Sequence, residues 1–591
     1  MRRLRTTFVL ATAAVLIASV VGTGSTAAAG PFGGRTPGRW IAVAKSAADL
    51  DGLRAAVAAA GGKVIDVNTD LDQVVVAGPQ SVQAALAGNS HTASVGSDRI
   101  EQIVPPEGGT MSAPARQRYQ VTFGGGKPKV TPDPAFSLPG LMWSIERVNA
   151  PQAWRFTTGS PAVTVGVADT GLDYTHPELA AQVAYVQDFT VTEDPPLCTT
   201  YFGASDADFA ALYGGPVNTD WNGHGSWIVG NIAAALDGVG VNGIAPKVKL
   251  VALKISGWCG SAYDSTILDA FTYAADHGID VVSISFGGYL DRTDPAQQQI
   301  YQQYVKAVAY AMRKGTVIVA AAGNEHLRIG AGGQVLNHGP LTAPGASFAD
   351  YYGLWENPGG IPGVVDVSST GNVVNAPSAS CPTGPPDSNA TCKPTSDPHQ
   401  PFGVGAQNQL AYYSNYGPRI DVAGPGGARK FNLPVWDRGG TPGYPVTDAD
   451  GTTAFEDFSI TSNWALEIPC YTFSGPGIPP LFYPDTCYST IQGTSMATPH
   501  ASAALALIAS RNPWLRHNPL ALVAMLKMSA TNVHGNRTPG LSATDTSAGD
   551  LSTYPGACAG GYCHLGGPAI PDREAYGAGL VNATGIPSFG H

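Results

Sequence analysis

The sequence predicts an α/β protein with a doubly wound, mainly parallel sheet, preceded by a small α+β unit. Two observations carry this prediction. Beyond residue 141, short β-branched runs that are apolar on both faces alternate with helical segments, which is typical of buried parallel strands joined by crossover helices. Before residue 105, strand-like and helical segments follow the order β-α-β-β-α-β, the ferredoxin-like plan.

The small unit is predicted between residues 40 and 104. Its expected elements are the strands 41–43, 64–67, 74–77 and 100–104 and the helices 50–57 and 81–86. Gly61 and Gly62 end the first helix. A Pro- and Gly-rich stretch up to residue 140 then has the composition of a linker.

The larger unit carries the parallel-sheet pattern. Its expected strands are 162–168, 248–255, 279–286, 316–321 and 364–367, and its expected helices lie near 227–235, 266–277 and 298–314. In sheets of this kind the ligand binds beyond the carboxyl ends of the strands. We therefore expect the functional residues to follow the strands directly.

Residues 1–29 have the order of a secretory signal peptide. Three arginines within residues 2–5 precede the apolar run 8–21, and small residues end the segment. The apolar run is shorter than the ~20 residues of a membrane-spanning helix, so we expect a secreted, extracellular protein without membrane contact after signal cleavage. The net charge of -11 and the lack of a basic run argue against nucleic acid binding.

All eight cysteines lie beyond this leader, as suits disulfide formation in an oxidising compartment. Spacing does not settle their connectivity. Pairing neighbours in sequence would join 381 with 392, 470 with 487 and 558 with 563, and would leave Cys198 with Cys259. No Cys-x-x-Cys spacing supports a zinc site.

Four polar residues stand at predicted strand ends or helix starts. Asp169 follows the first strand, and Asn324 follows the fourth in Ala-Ala-Ala-Gly-Asn-Glu. His224 opens a helix in Asn-Gly-His-Gly-Ser, and Ser495 stands in Gly-Thr-Ser-Met-Ala-Thr-Pro-His. Each alone is commonly structural, and Ser495 alone is equally well an N-cap. Together, the order Asp, His, Ser is one of the known orders of a catalytic triad.

These segments resemble the subtilisin-like serine peptidases, the subtilase or S8 family, over about residues 142–583. The resemblance implies a serine endopeptidase that hydrolyses peptide bonds in proteins through an acyl-enzyme. Ser495 would be the nucleophile, His224 its general base and Asp169 the residue that orients the base. The side chain of Asn324 and the backbone N–H of Ser495 would form the oxyanion hole.

The resemblance also implies a substrate-binding segment and a facing pocket wall. The residues concerned are Ser285, Phe286, Gly287, Gly288, Ala322 and Gly323. Their glycines would let an extended peptide pair along the backbone. Nothing charged is evident in these walls, so we expect an apolar or broad preference for the residue before the scissile bond.

Residues 30–104 are similar to the inhibitor-I9-like pro-domain that precedes many subtilases. The resemblance thus implies a self-processing zymogen, with the pro-domain as intramolecular inhibitor and maturation cleavage within the linker 105–140. The peptidase domain would span 141–591 as a monomer that needs no cofactor for catalysis. Structural calcium stays open, with Glu178 and Asp237 as weak candidate ligands, because two acids suit a solvated surface equally well.

The chain departs from the family pattern in two places. Ser226 and Trp227 follow the His-Gly pair where a Thr-His pair is common, so the packing beneath the base differs. The interval from Asn324 to Ser495 is long, with insertions near 325–360, 381–403 and 428–487, and we expect the last two to be surface loops.

Three other readings predict different residues. An α/β-hydrolase esterase would show Gly-x-Ser-x-Gly and the order Ser, acid, His. A sedolisin-like carboxyl peptidase would have Glu and Asp in place of the histidine base. A non-catalytic homologue would be favoured by the loss of a triad member, whereas all members are present in the sequence.

Overall fold

The computed structural model describes residues 38–103, 107–108, 131–137, 141–194, 196–341, 350–371, 408–428, 432, 460–465, 486–541 and 565–586. The predicted leader, most of the linker and the predicted insertion 381–403 lie outside the described residues.

The N-terminal unit is an antiparallel sheet with two helices on one face. Its elements are β1 (Arg39–Ala44), α1 (Leu50–Ala59), β2 (Lys63–Asn68), β3 (Gln73–Ala77), α2 (Gln80–Ala87) and β4 (Thr92–Ser97). The strand order is β2-β3-β1-β4, with antiparallel neighbours. Leu53 and Val57 of α1 and Leu86 of α2 pack on Ala42 and Val74 of the sheet. The order β-α-β-β-α-β of the predicted plan is therefore present.

The other strands belong to the larger unit or pair with it. They are β5 (Ile100–Ile103), β6 (Glu107–Gly108), β7 (Thr164–Asp169), β8 (Val183–Asp188), β9 (Lys249–Lys254), β10 (Ser261–Tyr263), β11 (Val281–Ile284), β12 (Phe286–Leu290), β13 (Val317–Ala321), β14 (Trp355–Asn357), β15 (Val365–Gly371), β16 (Gln409–Leu410), β17 (Val422–Pro425), β18 (Ile460–Trp464), β19 (Cys487–Gln492), β20 (Pro539–Leu541) and β21 (Leu565–Ala569).

The helices of this unit surround its main sheet. They are α3 (Trp143–Arg147), α4 (Ala150–Ala153), α5 (Leu197–Phe202), α6 (Asp206–Tyr213), α7 (His224–Ala233), α8 (Asp264–Asp276), α9 (Pro295–Lys314), α10 (Thr494–Arg511), α11 (Pro519–Ser529) and α12 (Asp572–Tyr576).

The main sheet has the order β16-β15-β13-β11-β7-β9-β8, with β17 beside β15. All neighbours are parallel except β15 and β16. From β7 the chain builds β9 and β8 to one side and β11, β13 and β15 to the other, so the strand order reverses at β7. The predicted doubly wound sheet is confirmed, and its reversal point is where a ligand site is expected.

Both faces of the sheet are covered, which explains the apolar character of its strands. On one face, Val165 and Val167 pack with Trp227 of α7 and Leu505 of α10. On the other face, Leu253 packs with side chains of α8 and α9. No helix of the described part of the chain is long and apolar enough to cross a membrane.

One predicted strand of the N-terminal unit is wrong. Residues 100–104 do not complete that sheet; β4 does, and β5 leaves it to pair with β10 and β12 of the larger unit. Four of the six residues of Thr92–Ser97, namely Ala93, Ser94, Gly96 and Ser97, are small, so the segment shows only a weak strand pattern. The apolar residues of β5 reflect burial in a different sheet.

The predicted insertion 428–487 is not only a surface loop. Within it, β18 is largely buried, pairs with β19 and packs against α7, so the expectation is wrong for Ile460–Trp464. Within 325–360, the described side chains of Leu327, Ile329 and Val335 form a small buried cluster. These segments are part of the packed structure that supports the histidine helix and the cleft.

The pairing of Cys198 with Cys259 is confirmed. Cys487 is also disulfide-bonded, and its predicted partner at 470 lies outside the described residues. The other predicted pairs, 381 with 392 and 558 with 563, lie outside the described residues as well.

Candidate active site

The three predicted triad residues stand at the carboxyl edge of the main sheet. Asp169 is the last residue of β7, His224 the first of α7 and Ser495 the second of α10. All three side chains are buried. His224 Nδ1 lies 2.8 Å from Asp169 Oδ1. The reversal point of the sheet thus brings a buried aspartate and histidine together from positions far apart in the chain.

The hydrogen bonds around Asp169 orient the imidazole. Asp169 Oδ1 also accepts the backbone N–H of Thr170 at 2.8 Å. A neutral histidine that donates from Nδ1 to a carboxylate has Nε2 as its acceptor. His224 Nε2 is buried and has no hydrogen-bond partner among the described residues. The side chain is therefore arranged to accept a proton at Nε2.

Asp220, which the sequence reasoning missed, organises the start of the histidine helix. Its Oδ1 accepts the N–H of Gly223 at 2.8 Å and the hydroxyl of Thr170 at 2.9 Å. Its Oδ2 accepts both the N–H and the hydroxyl of Ser226 at 2.8 Å. The signal was an aspartate shortly before a helix start, the usual setting for side-chain to backbone bonds. The departure at Ser226 is thus accommodated by a polar network beneath the base.

Asn324 follows β13 as predicted and contacts the residue before the serine. Its Oδ1 accepts the backbone N–H of Thr494 at 2.9 Å and the Thr494 hydroxyl at 2.8 Å. These two bonds fix the plane of the amide beside the N-terminus of α10. A helix N-terminus presents backbone N–H groups without helical partners. Together with the amide, this setting suits an oxyanion.

The predicted substrate-binding segment lies against the serine helix. The Ser285 hydroxyl donates to the backbone oxygen of Ser495 at 3.3 Å. Phe286 and Gly287, at the start of β12, pair with Ile103 and Gln102 of β5. A Cβ on Gly287 would lie 2.7 Å from the backbone oxygen of Asn357. This position therefore tolerates no side chain.

The facing wall is built from Ala322 and Gly323. The Ala322 oxygen accepts a hydrogen bond from Asn415 Nδ2 at 2.6 Å. Gly323 has φ +103°, and a Cβ there would lie 2.8 Å from Glu325 Oε2. The Tyr289 hydroxyl holds that carboxyl by a bond of 2.6 Å. We expected no charged group in this wall. Glu325 lies beside it, and the sequence at the end of β13 does not indicate where the Glu325 carboxyl points.

A strand from the N-terminal unit occupies this cleft. β5 lies between β10 and β12, and the Ile103 N–H donates to the Gly260 oxygen at 2.9 Å. Further along, β6 pairs with β19, with Glu107 opposite Gln492, three residues before Ser495. Two described stretches, β5 and β6, therefore pair with edges of the larger unit, β12 directly after Ser285 and β19 shortly before Ser495, in the manner of a peptide added to sheet edges.

The calcium candidates come from two loops: Glu178 lies between β7 and β8, and Asp237 lies in the loop after α7. Asn463 Nδ2 donates to Glu178 at 2.8 Å, and the hydroxyl of Tyr488 donates to its other oxygen. Burial raises the pKa of Glu178 to about 8. The Asp237 carboxylate accepts the N–H of Val239 at 3.1 Å. Among the described residues, no three acidic, histidine or cysteine side chains form a metal-binding group. The surroundings of Glu178, whose carboxyl accepts two hydrogen bonds, and of Asp237 do not fit a cation.

Comparison with known proteins points to one family. A model described as "Subtilase family" matches residues 160–548. Thermitase of Thermoactinomyces vulgaris is 34% identical over 194 residues, which are 32% of this chain and 57% of that protein. Subtilisin Savinase of Lederbergia lenta is 26% identical over 399 residues, 67% of this chain and 94% of that protein. The chain spans about half of the length of the first curated relatives that it matches.

Solved structures show the same fold. Fervidolysin of Fervidobacterium pennivorans, described as a keratinolytic enzyme related to subtilisin, superposes with a TM-score of 0.56 at 19% identity. The match covers 93% of this chain and 61% of fervidolysin. The epidermin leader peptide processing protease of Staphylococcus aureus superposes with a TM-score of 0.53 at 17% identity, over 93% of this chain and 97% of its own.

Proposed function

Because the chain belongs to the subtilase family, we propose that it is a serine endopeptidase made as a secreted zymogen. The observation that carries the proposal is the buried contact of 2.8 Å between His224 Nδ1 and Asp169 Oδ1, at the sheet edge where α10 presents Ser495. The named relatives among serine proteases, such as thermitase and Savinase, support the same class of reaction.

In the proposed mechanism, the Ser495 hydroxyl attacks the scissile carbonyl while His224 Nε2 takes its proton. Asp169 holds the imidazole in the required tautomer and stabilises the imidazolium without taking the proton. The amide of Asn324 and the backbone N–H of Ser495 donate to the oxyanion. His224 then protonates the leaving amine, and water hydrolyses the acyl-enzyme by the same steps in reverse. No cofactor takes part in these steps.

The strand in the cleft supports the zymogen part of the proposal. β5 fills the groove beside Phe286 and Gly287 where an extended substrate would pair. A chain segment held there excludes substrate, so the N-terminal unit acts as the intramolecular inhibitor. Maturation requires cleavage in the stretch 105–140, most of which lies outside the described residues, followed by release of the unit.

Secretion is proposed from the leader at 1–29, and the disulfide between Cys198 and Cys259 is in keeping with export to an oxidising compartment. We propose protein or peptide substrates and a monomeric enzyme. The apolar or broad preference before the scissile bond is retained as a proposal, with Glu325 as the charged group beside the pocket wall.

Labelling with a fluorophosphonate tests the enzyme assignment. The purified precursor is incubated until it matures, labelled, and its new N-terminus is sequenced. We expect one label per chain, lost in Ser495→Ala, and an N-terminus within 105–141. Ser502→Ala is the matched control, because Ser502 is a buried serine on the same helix that bonds the Thr498 oxygen at 3.1 Å.

Two results would contradict this function. Wild type that neither takes up the label nor cleaves a denatured protein would exclude a serine endopeptidase. Ser495→Ala precursor that matures at the wild-type rate would exclude self-processing, while leaving the peptidase assignment intact.

A further inference from the structure

The slot that β5 occupies belongs to the larger unit. On one side Glu101 stands opposite Ala262, and on the other Gln102 stands opposite Gly287. A peptide in the place of β5 would form the same ladders. Because side chains alternate strictly along a strand, the residue in the place of Glu101 would enter the same pocket.

The pocket that holds Glu101 is closed and polar. Glu101 is only 2% exposed, and its carboxyl faces Asp264 and the amide of Asn357. A Cβ on Gly288 would lie 2.2 Å from Glu101 Oε2, so the glycine leaves room for the side chain. The pocket thus has space for a long polar side chain.

Asp264 forms the inner end of this pocket. It is 0% exposed, and its Oδ1 accepts the hydroxyl of Tyr304 at 2.8 Å. Its Oδ2 is buried and has no hydrogen-bond partner among the described residues. An unpaired carboxylate in such a place is costly unless a donor or a cation reaches it.

In the precursor two carboxyls face each other. Burial and the facing Glu101 raise the pKa of Asp264 well above its usual value, and burial raises the pKa of Glu101. Arg99 lies near Glu101, with Nη1 3.6 Å from Oε1. Asp98, the other charged group that acts on Asp264, is itself bonded to Arg39 at 2.7 Å.

All of these precursor partners precede the linker. Arg39, Asp98, Arg99 and Glu101 therefore leave together when the N-terminal unit is released. Of the described groups that act on Asp264, the neutral Tyr304 belongs to the larger unit and stays in place. The released slot would contain one carboxyl group at the end of a pocket that accepts a long side chain.

We infer that Asp264 determines a substrate preference for a lysine or arginine side chain at the position that Glu101 holds in the precursor. The inference rests on the proposed peptidase function and names a specificity-determining residue for it. A cation on the substrate would form a charge-assisted hydrogen bond with Asp264, which an apolar or acidic side chain cannot. Asp264 selects the substrate and takes no part in bond cleavage.

The position can be counted along the peptide. Ile103 pairs beside Phe286 and Glu107 pairs beside Gln492, so the scissile bond of a bound peptide lies between the places of these two residues. The place of Glu101 is then the third to the sixth residue before that bond.

The test uses matured enzyme from the full chain and fluorogenic peptides on a neutral background at pH 8. Lys, Arg, Leu or Glu stands at each position from the third to the sixth before the scissile bond. We expect kcat/KM to favour Lys or Arg over Leu about tenfold at one position. In Asp264→Asn this ratio falls to about one, while the Leu peptide is cleaved at nearly the wild-type rate.

Two controls separate the role of the charge from a structural effect. Asp269→Asn changes another acid of the same helix, which accepts a hydrogen bond from Asn68 and lies outside the slot, so its ratio should match wild type. Asp264→Ser keeps a helix-starting residue and removes the charge, so it should behave as Asp264→Asn.

Two outcomes would overturn the inference. Equal Lys-to-Leu ratios in wild type and Asp264→Asn would show that Asp264 selects nothing, and a preference for Glu would show the opposite selection. In both cases normal cleavage of the Leu peptide and normal fluorophosphonate labelling would leave the peptidase function standing. Loss of both labelling and cleavage in wild type would remove the peptidase function and this inference together.

Discussion

Two buried aspartates lie along the same cleft, and their surroundings differ. Asp169 has fixed donors within the larger unit, the Thr170 N–H and the His224 imidazole, each at 2.8 Å. Asp264 has one fixed donor, Tyr304, and otherwise faces groups of the N-terminal unit. A carboxylate with permanent donors holds another side chain in place. Asp264 loses most of its neighbours when the N-terminal unit is released, and its carboxyl can then bind a side chain of the substrate.

The largest effect on activity is expected from substitution of Asp169. Asp169→Asn should lower kcat by about 10⁴-fold, because the amide favours the wrong imidazole tautomer. Steady-state assays with a peptide substrate measure kcat of the variant and of wild type. The far-UV circular dichroism spectrum and the melting temperature show whether the variant is folded. A loss below about tenfold would mean that Asp169 does not orient the base.

The oxyanion site should show the next largest effect. Asn324→Ala should lower kcat about 10²- to 10³-fold with little change in KM, because the amide acts on the transition state. Thr494→Val is the informative partner, since it removes the hydroxyl that bonds Asn324 Oδ1 and should cost less. An Asn324→Ala variant that alters KM alone would place the amide in substrate binding instead.

The disulfide should stabilise the pocket end of the cleft. Cys198→Ala with Cys259→Ala opens a link across 61 residues, and we expect a loss of about 3 kcal/mol in the free energy of unfolding. Urea unfolding of the Ser495→Ala chain measures it without self-digestion. Unchanged stability would mean that neighbouring contacts already hold α5 beside the loop before β10.

The smallest effect concerns pH and the facing carboxyls. An acid whose pKa is raised in the assembled precursor binds more protons there than after release, so assembly is favoured at low pH and weakens as pH rises above the ordinary carboxyl pKa. We expect faster appearance of activity from cleaved precursor as pH rises. Glu101→Gln should flatten this dependence, which a progress curve at each pH measures.

A matched variant serves as the control for the pH prediction. Asp51→Asn alters an exposed acid of the N-terminal unit and should keep the wild-type dependence. Identical pH profiles for wild type and Glu101→Gln would show that the paired carboxyls do not control release.

Much of the fold was predictable because it follows local patterns. The strands around Val165, Val251 and Val319 are buried on both faces, and the apolar runs in their sequences predict this burial. The pattern did not reveal β4 because four of its six residues are small, and it did not reveal β8 because that strand is only partly buried. Strand propensity depends on the neighbours that a strand meets, so weak patterns do not identify such strands.

The site divides in the same way. Asp169, His224, Asn324 and Ser495 stand in short segments whose glycines and small residues mark turns at strand ends and helix starts, so the sequence alone determined them as candidates. It also determined the alternation that makes a doubly wound sheet and so brings strand ends to one edge.

Only the tertiary structure decided what lies across the cleft from these residues. The contact of Glu101 with Asp264 joins positions 163 residues apart by the difference of their numbers, and no local pattern records it. The contact arises because β5 does not pair with the N-terminal sheet and instead pairs with the edges of β10 and β12. Backbone hydrogen bonding makes any extended segment a candidate for those edges, and only the complete packing selects one.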